Sequence, residues 1–300
     1  MYLKKVMKVN SVSIVKEPWF VYTIITTLFW GTWGALIEIP GRSGFPPALV
    51  YIVWSLSMIP CALLGLVVIE WKLDYDLKSV LFGLTIGITG SGGQLALFKA
   101  LSEGPAYLVF PIISLSPIVT VLLSVSFLNE TTTKRHWIGI AIALVAIVLM
   151  SFQEPDNNAI KGYVWFVFAI FVFLAWGVQA FYMKKANATM KAESIFFYMM
   201  VAGLLLAPVA YFMTDLDGQI FLGFKGPYLA ALVSLLNSLG ALTLVYAIRY
   251  GKVIIVAPLT NAVAPIITIV LSLLIYGVLP SPIIIAGIVF AMISVYLIAE

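Results

Sequence analysis

The second half of this 300-residue chain repeats the first at a shift of about 147 residues. No other feature narrows the range of folds as far. Ala100 and Gly104 fall on Ala247 and Gly251, and Pro111 falls on Pro258. After a one-residue insertion, Pro117, Thr120, Ser124 and Gly139 fall on Pro265, Thr268, Ser272 and Gly287. Upstream, Pro60 meets Pro208, Ser91 meets Ser238, Gly93 meets Gly240, and Trp30-Gly31 meets Trp176-Gly177. Short matches arise by chance in apolar sequence, but matched Gly, Pro and Trp positions along almost a whole unit do not. Each unit holds five apolar segments. Five is odd, so two such units crossing a bilayer in series run in opposite directions. That is the plan of inverted-repeat secondary transporters, whose substrate sites lie where the two units meet.

The bilayer itself follows from composition. The chain is 62% hydrophobic and 10% charged, with a mean hydropathy of +1.09, against about 25% charged residues in soluble domains. In lipid the backbone must satisfy its own polar groups, which leaves helices or a closed barrel. Apolar runs of about 20 residues, rather than alternating strands of about ten, decide for helices. The expected class is therefore all-α integral membrane, with ten transmembrane helices at 19–38, 47–69, 79–101, 105–128, 136–152, 161–183, 193–213, 227–248, 253–276 and 281–299. This divides the chain into an N-terminal segment (1–18), a first five-helix repeat (19–152) and a second (153–300). The first 18 residues are polar and basic, and no small-residue cleavage pattern follows the first apolar run.

Basic residues set the expected orientation. With a cytoplasmic N-terminus, the inside segments hold 13 of the 17 Lys and Arg residues, and the outside loops hold Arg42, Lys161 and Lys225. Lys99 is the one left within a span. The positive-inside rule then places both termini in the cytoplasm, in a cell (plasma or inner) membrane. The two halves agree with opposite orientations: the turn after span 3 carries Glu103, and its counterpart after span 8 carries Arg249 and Lys252.

Between Ala100 and Ser151 the sequence reads Ala100-Leu101, Gly104-Pro105-Ala106, Pro111-Ile112, Pro117-Ile118, Leu128-Asn129-Glu130 and Trp137-Ile138-Gly139-Ile140. This resembles the half-repeat of EamA-type proteins of the drug/metabolite transporter superfamily. The resemblance implies ten spans, cytoplasmic termini and movement of small organic metabolites or amino acids, often outward. The second copy departs from the pattern: Val278 stands roughly where the first has Glu130, and Pro280 and Pro282 replace its polar loop.

Candidate site residues are polar or aromatic groups at membrane depth, where each needs a partner or a function. Trp30 and Trp176 are repeat-related and lie well inside spans 1 and 6, with Trp33 close by. Gln179 and Tyr182 follow Trp176 at spacings of three and six. Gln94 continues the face of Gly83, Gly87 and Gly90, a small-residue stripe suited to helix contact. Asn237 and Asn261 have polar neighbours in Ser234, Ser238 and Thr260. Lys99 either snorkels and pairs with Glu103, four residues on, or faces a cavity and attracts a carboxylate; the repeat places Tyr246 at its counterpart. Glu38 and Glu103 are the nearest carboxylates for proton coupling, and both look peripheral. Pro111, Pro117, Pro258 and Pro265 interrupt spans 4 and 9 in matching places, as hinges would.

These features point to a carrier that moves small organic solutes, such as amino acids, by alternating access. Its expected partners are the solute and the bilayer, with a proton as an optional coupling ion. A sugar- or nucleoside-type uptake permease is the alternative, followed by a pore-like channel. An enzyme is not expected. The single Cys61 and single His136 exclude an internal disulfide and a multi-cysteine metal site, so no metal or cofactor is expected. No phosphate-binding loop leads into a helix, and scattered surface charge gives no basis for nucleic-acid binding. Nothing in the sequence sets an oligomeric state.

Overall fold

The computed structural model describes residues 17–103, 109, 112–150, 163–214, 220–277 and 281–299. The expectations for Pro111, for Val278 and for nearly all of the N-terminal segment lie outside them. The described chain folds as α1 (Pro18–Leu36), α2 (Glu38–Arg42), α3 (Pro47–Val68), α4 (Leu77–Glu103), α5 (Ser116–Leu128), α6 (Lys134–Met150), α7 (Val164–Asn187), α8 (Ala192–Phe212), a π-helical turn (Phe224–Tyr228), α9 (Leu229–Tyr250), α10 (Val253–Tyr276) and α11 (Pro282–Ala299). Among the described residues there is no strand. Seven helices are long and apolar enough to cross a bilayer, and Ile112–Phe127 and Pro282–Ile298 are shorter apolar helices. Leu64, Val68, Phe127 and Leu274 are more than three-fifths exposed, as side chains facing lipid are.

Prolines open α1, α3 and α5 within the first turn, where the missing N–H has no intrahelical partner to lose. The first span, expected over 19–38, ends as α1 at Leu36. The chain winds one more short helix, α2, and turns at Gly44, which takes a φ of +90°. Span 4 and span 9 also differ. Leu115 breaks span 4 just before α5, with Pro117 in the first turn of that helix. By contrast, α10 runs unbroken through both Pro258 and Pro265.

The first helix of each repeat packs on the other repeat. α1 lies against α9 and α10, and α7 lies against α4 and α5. These form two equivalent three-helix units. Further pairings obey the same two-fold: α3 with α9 mirrors α8 with α4, while α3–α8, α5–α10 and α6–α11 pair across the axis.

One end of the bundle gathers the connections α3–α4, α5–α6, α7–α8 and α9–α10. Lys191 approaches Asp74 at 4.0 Å, Lys191 Nζ donates to Lys72 O, Arg249 Nη1 donates to Met190 O at 2.8 Å, and Lys252 Nζ donates to Thr131 O. Tyr22, near the start of α1, stacks on Tyr246 at 5.0 Å. All these segments are ones the charge count puts on a single side of the membrane; it is called the basic end below. The largest core cluster, including Met58, Ile86, Ile195, Phe196, Ile248 and Val253, reaches into this half.

Candidate functional site

Two tryptophans pin the swapped helices in place, and they do so in the same way. Trp30 Nε1 on α1 donates to Asn237 O on α9 at 3.2 Å. Trp176 Nε1 on α7 donates to Gly90 O on α4 at 3.3 Å. Gly90 and Asn237 are repeat counterparts. Each indole lies over a glycine of the partner helix: a Cβ on Gly240 would stand 2.4 Å from Trp30 Cδ1, and one on Gly93 would stand 2.5 Å from Trp176 Nε1.

Two threonines fasten the same helices on the other flank. Thr268 Oγ1 on α10 donates to Gly31 O at 2.9 Å, and Thr120 Oγ1 on α5 donates to Gly177 O at 3.0 Å. Gly31 and Gly177 allow that approach, because a Cβ on either would fall within 3 Å of a facing backbone carbonyl. Trp30-Gly31 and Trp176-Gly177, matched in the sequence, are thus the joints between the repeats.

The remaining candidates separate into groups. Trp33 and Gln179, each three residues beyond a pin, occupy equivalent places on α1 and α7. Gln179 lies against Gly90, whereas Trp33 Nε1 is buried with no hydrogen-bond partner among the described residues. Gln94 is half-buried on α4. Asn261 returns its Nδ2 to Ala257 O at 2.9 Å within α10. Asn237 is a structural tie as well as a candidate: its Oδ1 accepts from Trp54 Nε1 at 2.7 Å, linking α3 to α9 beside the Ser57–Ser238 bond. The Gly83, Gly87 and Gly90 face of α4 receives Tyr198, Ala202 and Gln179 and is a helix contact.

Tyr182 and Tyr246 belong to the basic end. Tyr182 meets Phe82 and Phe181 at ring distances of 6.0 and 5.3 Å, and Tyr246 donates its hydroxyl to Glu193 Oε1. Lys99, the repeat counterpart of Tyr246, lies at the opposite end and pairs with Glu103 at 2.5 Å, both side chains at least one-third exposed. Lys99 also borders an apolar groove of about 490 Å³ between α4, α7 and α8. Of Glu38, only the backbone is described, at the start of α2. No group of three metal-ligating side chains occurs among the described residues.

Three features were not singled out from sequence. Trp54 lacks a matched tryptophan in the other repeat. Glu193 is 8% exposed but sits at a span edge, where a carboxylate reads as solvated. Glu130 was noted only as part of a motif. It accepts from the N–H groups of Val253 and Ile254 at 3.4 and 3.2 Å and lies 3.8 Å from Lys184 Nζ.

A family model described as the EamA-like transporter family matches residues 17–152 and again 163–299. The chain belongs to that family. It is a multi-pass integral membrane protein, and the family places it among the secondary transporters. Of its relatives, an uncharacterised protein of Methanocaldococcus jannaschii is 32% identical over 36% of this chain and 79% of its own length. A probable 4-amino-4-deoxy-L-arabinose-phosphoundecaprenol flippase subunit (ArnE) of Proteus mirabilis is 32% identical over 29% of this chain and 80% of its own. Protein LicB of Haemophilus influenzae is 24% identical over 68% of this chain and 76% of its own. The first two are about one repeat long, which fits a duplicated unit. A solved crystal structure superposes with a TM-score of 0.76 at 16% identity, covering 92% of this chain and 97% of that one; this likeness concerns the fold.

Proposed function

We propose that this protein carries small organic solutes, amino acids or related metabolites, by alternating access around a crevice between the two three-helix units, with the basic end in the cytoplasm. The observation that supports this most is the duplicated joint: two indoles donating to repeat-equivalent carbonyls, each on a helix lent to the other repeat. Joints of equal design at the two swapped helices allow the units to rock about a site between them, as inverted repeats do. The solute would sit near Trp33 and Gln179. Trp33 offers an unpartnered indole N–H and a ring face for the apolar part of the solute, and Gln179 and Gln94 offer amides. Glu103 is already engaged by Lys99, so movement down the solute's own gradient is the favoured driving force.

The test is uptake of labelled amino acids and other small metabolites into protein-filled liposomes, with and without a pH gradient. Saturable uptake of one class, reduced at least about tenfold by Trp33→Ala with the protein still folded, is the expected result. Non-saturable flux would identify a pore, and normal uptake in both Trp33→Ala and Gln179→Ala would remove the site. A lipid-linked solute is a second reading. It is favoured by the apolar groove between α4, α7 and α8 and by the likeness to the Proteus mirabilis relative, a probable flippase subunit for a phosphoundecaprenol-linked sugar. Transbilayer movement of a fluorescent polyprenyl phosphate without uptake of any free solute would select it.

A further inference from the structure

One ion pair at the basic end holds the two helix termini that meet at the α9–α10 turn. Lys184, in the last turn of α7, donates to Ile248 O at 3.0 Å and to Gly251 O at 2.5 Å, at the carbonyl end of α9. Glu130 accepts from the two amides that open α10. The cation therefore meets the negative end of one helix and the carboxylate the positive end of the next, each the favourable sense. Asn187 Nδ2 adds a bond to Val245 O at 3.1 Å, and Lys252 Nζ reaches Thr131 O. The Glu130 side chain is 9% exposed and that of Lys184 25%. Together these contacts tie α7 and the α5–α6 connection, from one unit, to α9 and α10 of the other.

The repeat says whether the far end could be shut in the same way. Under the same alignment, in which the shift runs from 146 to 148 residues along the chain, residue 38 takes the place of Lys184, residue 41 that of Asn187, residue 105 that of Lys252 and residue 278 that of Glu130. These are Glu38, Gly41, Pro105 and Val278. None has the chemistry of its counterpart. An acid in the place of Lys184 accepts hydrogen bonds when ionised and cannot bridge two carbonyls. Glycine and valine bring no polar side-chain group, and proline brings no amine.

We propose that Lys184 and Glu130 form a one-sided clamp, so that the empty carrier rests closed at the basic end and open at the other. They are positioning residues of the transport cycle: solute binding must outweigh this clamp before the basic end opens, and the repeat counterparts of these residues supply no equal latch in sequence. The proposal rests on the alternating-access reading.

The test reads conformation without any solute. In a Cys61→Ala background reconstituted in nanodiscs, spin labels at positions 17 and 188 report the basic end, and labels at 163 and 228 report the far end. Distances are measured by pulsed electron resonance. The clamped protein should give one short basic-end distance. Lys184→Met should add a longer basic-end population together with a shorter far-end one, raising the basic-end-open share at least about tenfold, equivalent to about 1.4 kcal/mol. Glu130→Val, which copies residue 278, should act in the same direction, and Lys184→Arg should keep the wild-type distances. If Lys184→Met fails to fold, Glu130→Val and Asn187→Ala carry the test. Wild-type distances in folded variants, or two equally populated states in the unmodified protein, would overturn the clamp. Shifted populations without movement of any solute would leave the clamp standing and remove the carrier reading instead.

Discussion

Gly93 and Gly240 are the places where a single methyl group should reveal the two-fold joint. Each touches an indole that has nowhere to go. Trp30 is tied to Asn237 O and Trp176 to Gly90 O, and an added Cβ would come within 2.5 Å of the ring in both cases. Overpacking of this kind costs about 1–3 kcal/mol, and displacing the indole from its carbonyl adds about 0.5–1.5 kcal/mol. Gly92 is the control on the same helix, because the nearest atom to its Cβ position is Leu206 Cδ1 at 4.0 Å. There, alanine removes backbone freedom at no steric cost and should gain up to about 1 kcal/mol. Thermal stability of the purified protein in mild detergent, read as the monodisperse fraction after heating, should rank Gly92→Ala at or above wild type. Gly93→Ala and Gly240→Ala should both fall well below it, by similar amounts. If all three variants melt together, the indoles are not pinned. If only one of the two outer variants falls, the joints are not equivalent.

Thr120→Val and Thr268→Val each remove one bond of nearly equal length to a glycine carbonyl; each should cost about 0.5–1.5 kcal/mol in the same heating assay. Asn237→Ala strips the acceptor from Trp54 Nε1 and should lower stability by about 1–3 kcal/mol in the same assay. Lys99→Gln breaks a half-exposed pair and should change stability by no more than about 1 kcal/mol, measured by the same scan. At the start of α4, the Ser79 hydroxyl and amide hold the Asp76 carboxyl below the usual carboxylate range. That contribution is present above the ordinary carboxylate value and is lost as pH falls through the depressed one. Ser79→Ala should therefore be less stable than wild type at neutral pH, with the difference closing in acid.

Residues that act in pairs along the repeat were the legible ones. Trp30-Gly31 and Trp176-Gly177 stood out because they match across the repeat and lie well inside spans 1 and 6; the structure uses both as joints. The ten apolar runs were readable from length alone, since lipid demands self-satisfied helices. The misplaced details are local. Span 1 was expected to run over 19–38, but α1 stops at Leu36 and Glu38–Arg42 wind a separate short helix, the turn falling where Gly44 takes a positive φ. Pro258 and Pro265 read as interruptions yet sit inside a continuous α10, where the surrounding helices pack around them. The clamp escaped notice for a different reason. Lys184 and Glu130 are 54 residues apart, each beside a span end, where a charge is most simply a marker of membrane side. Only the swap of α7 onto α5 makes them neighbours. Asn237 was chosen for needing a partner; the structure supplies that partner as Trp54, which nothing in the repeat pointed to.

Lending the first helix to the other repeat also sets a schedule for synthesis. α1 leaves the ribosome roughly two hundred residues before α9, the helix it is pinned to. At roughly 5–20 residues per second, it spends on the order of ten to forty seconds in the bilayer with Trp30 and its glycine face uncovered. During that interval the two helices that it packs on most, α9 and α10, have not yet been made. That face is then open to the assembly machinery of the host membrane, or to a second passing copy of the same helix.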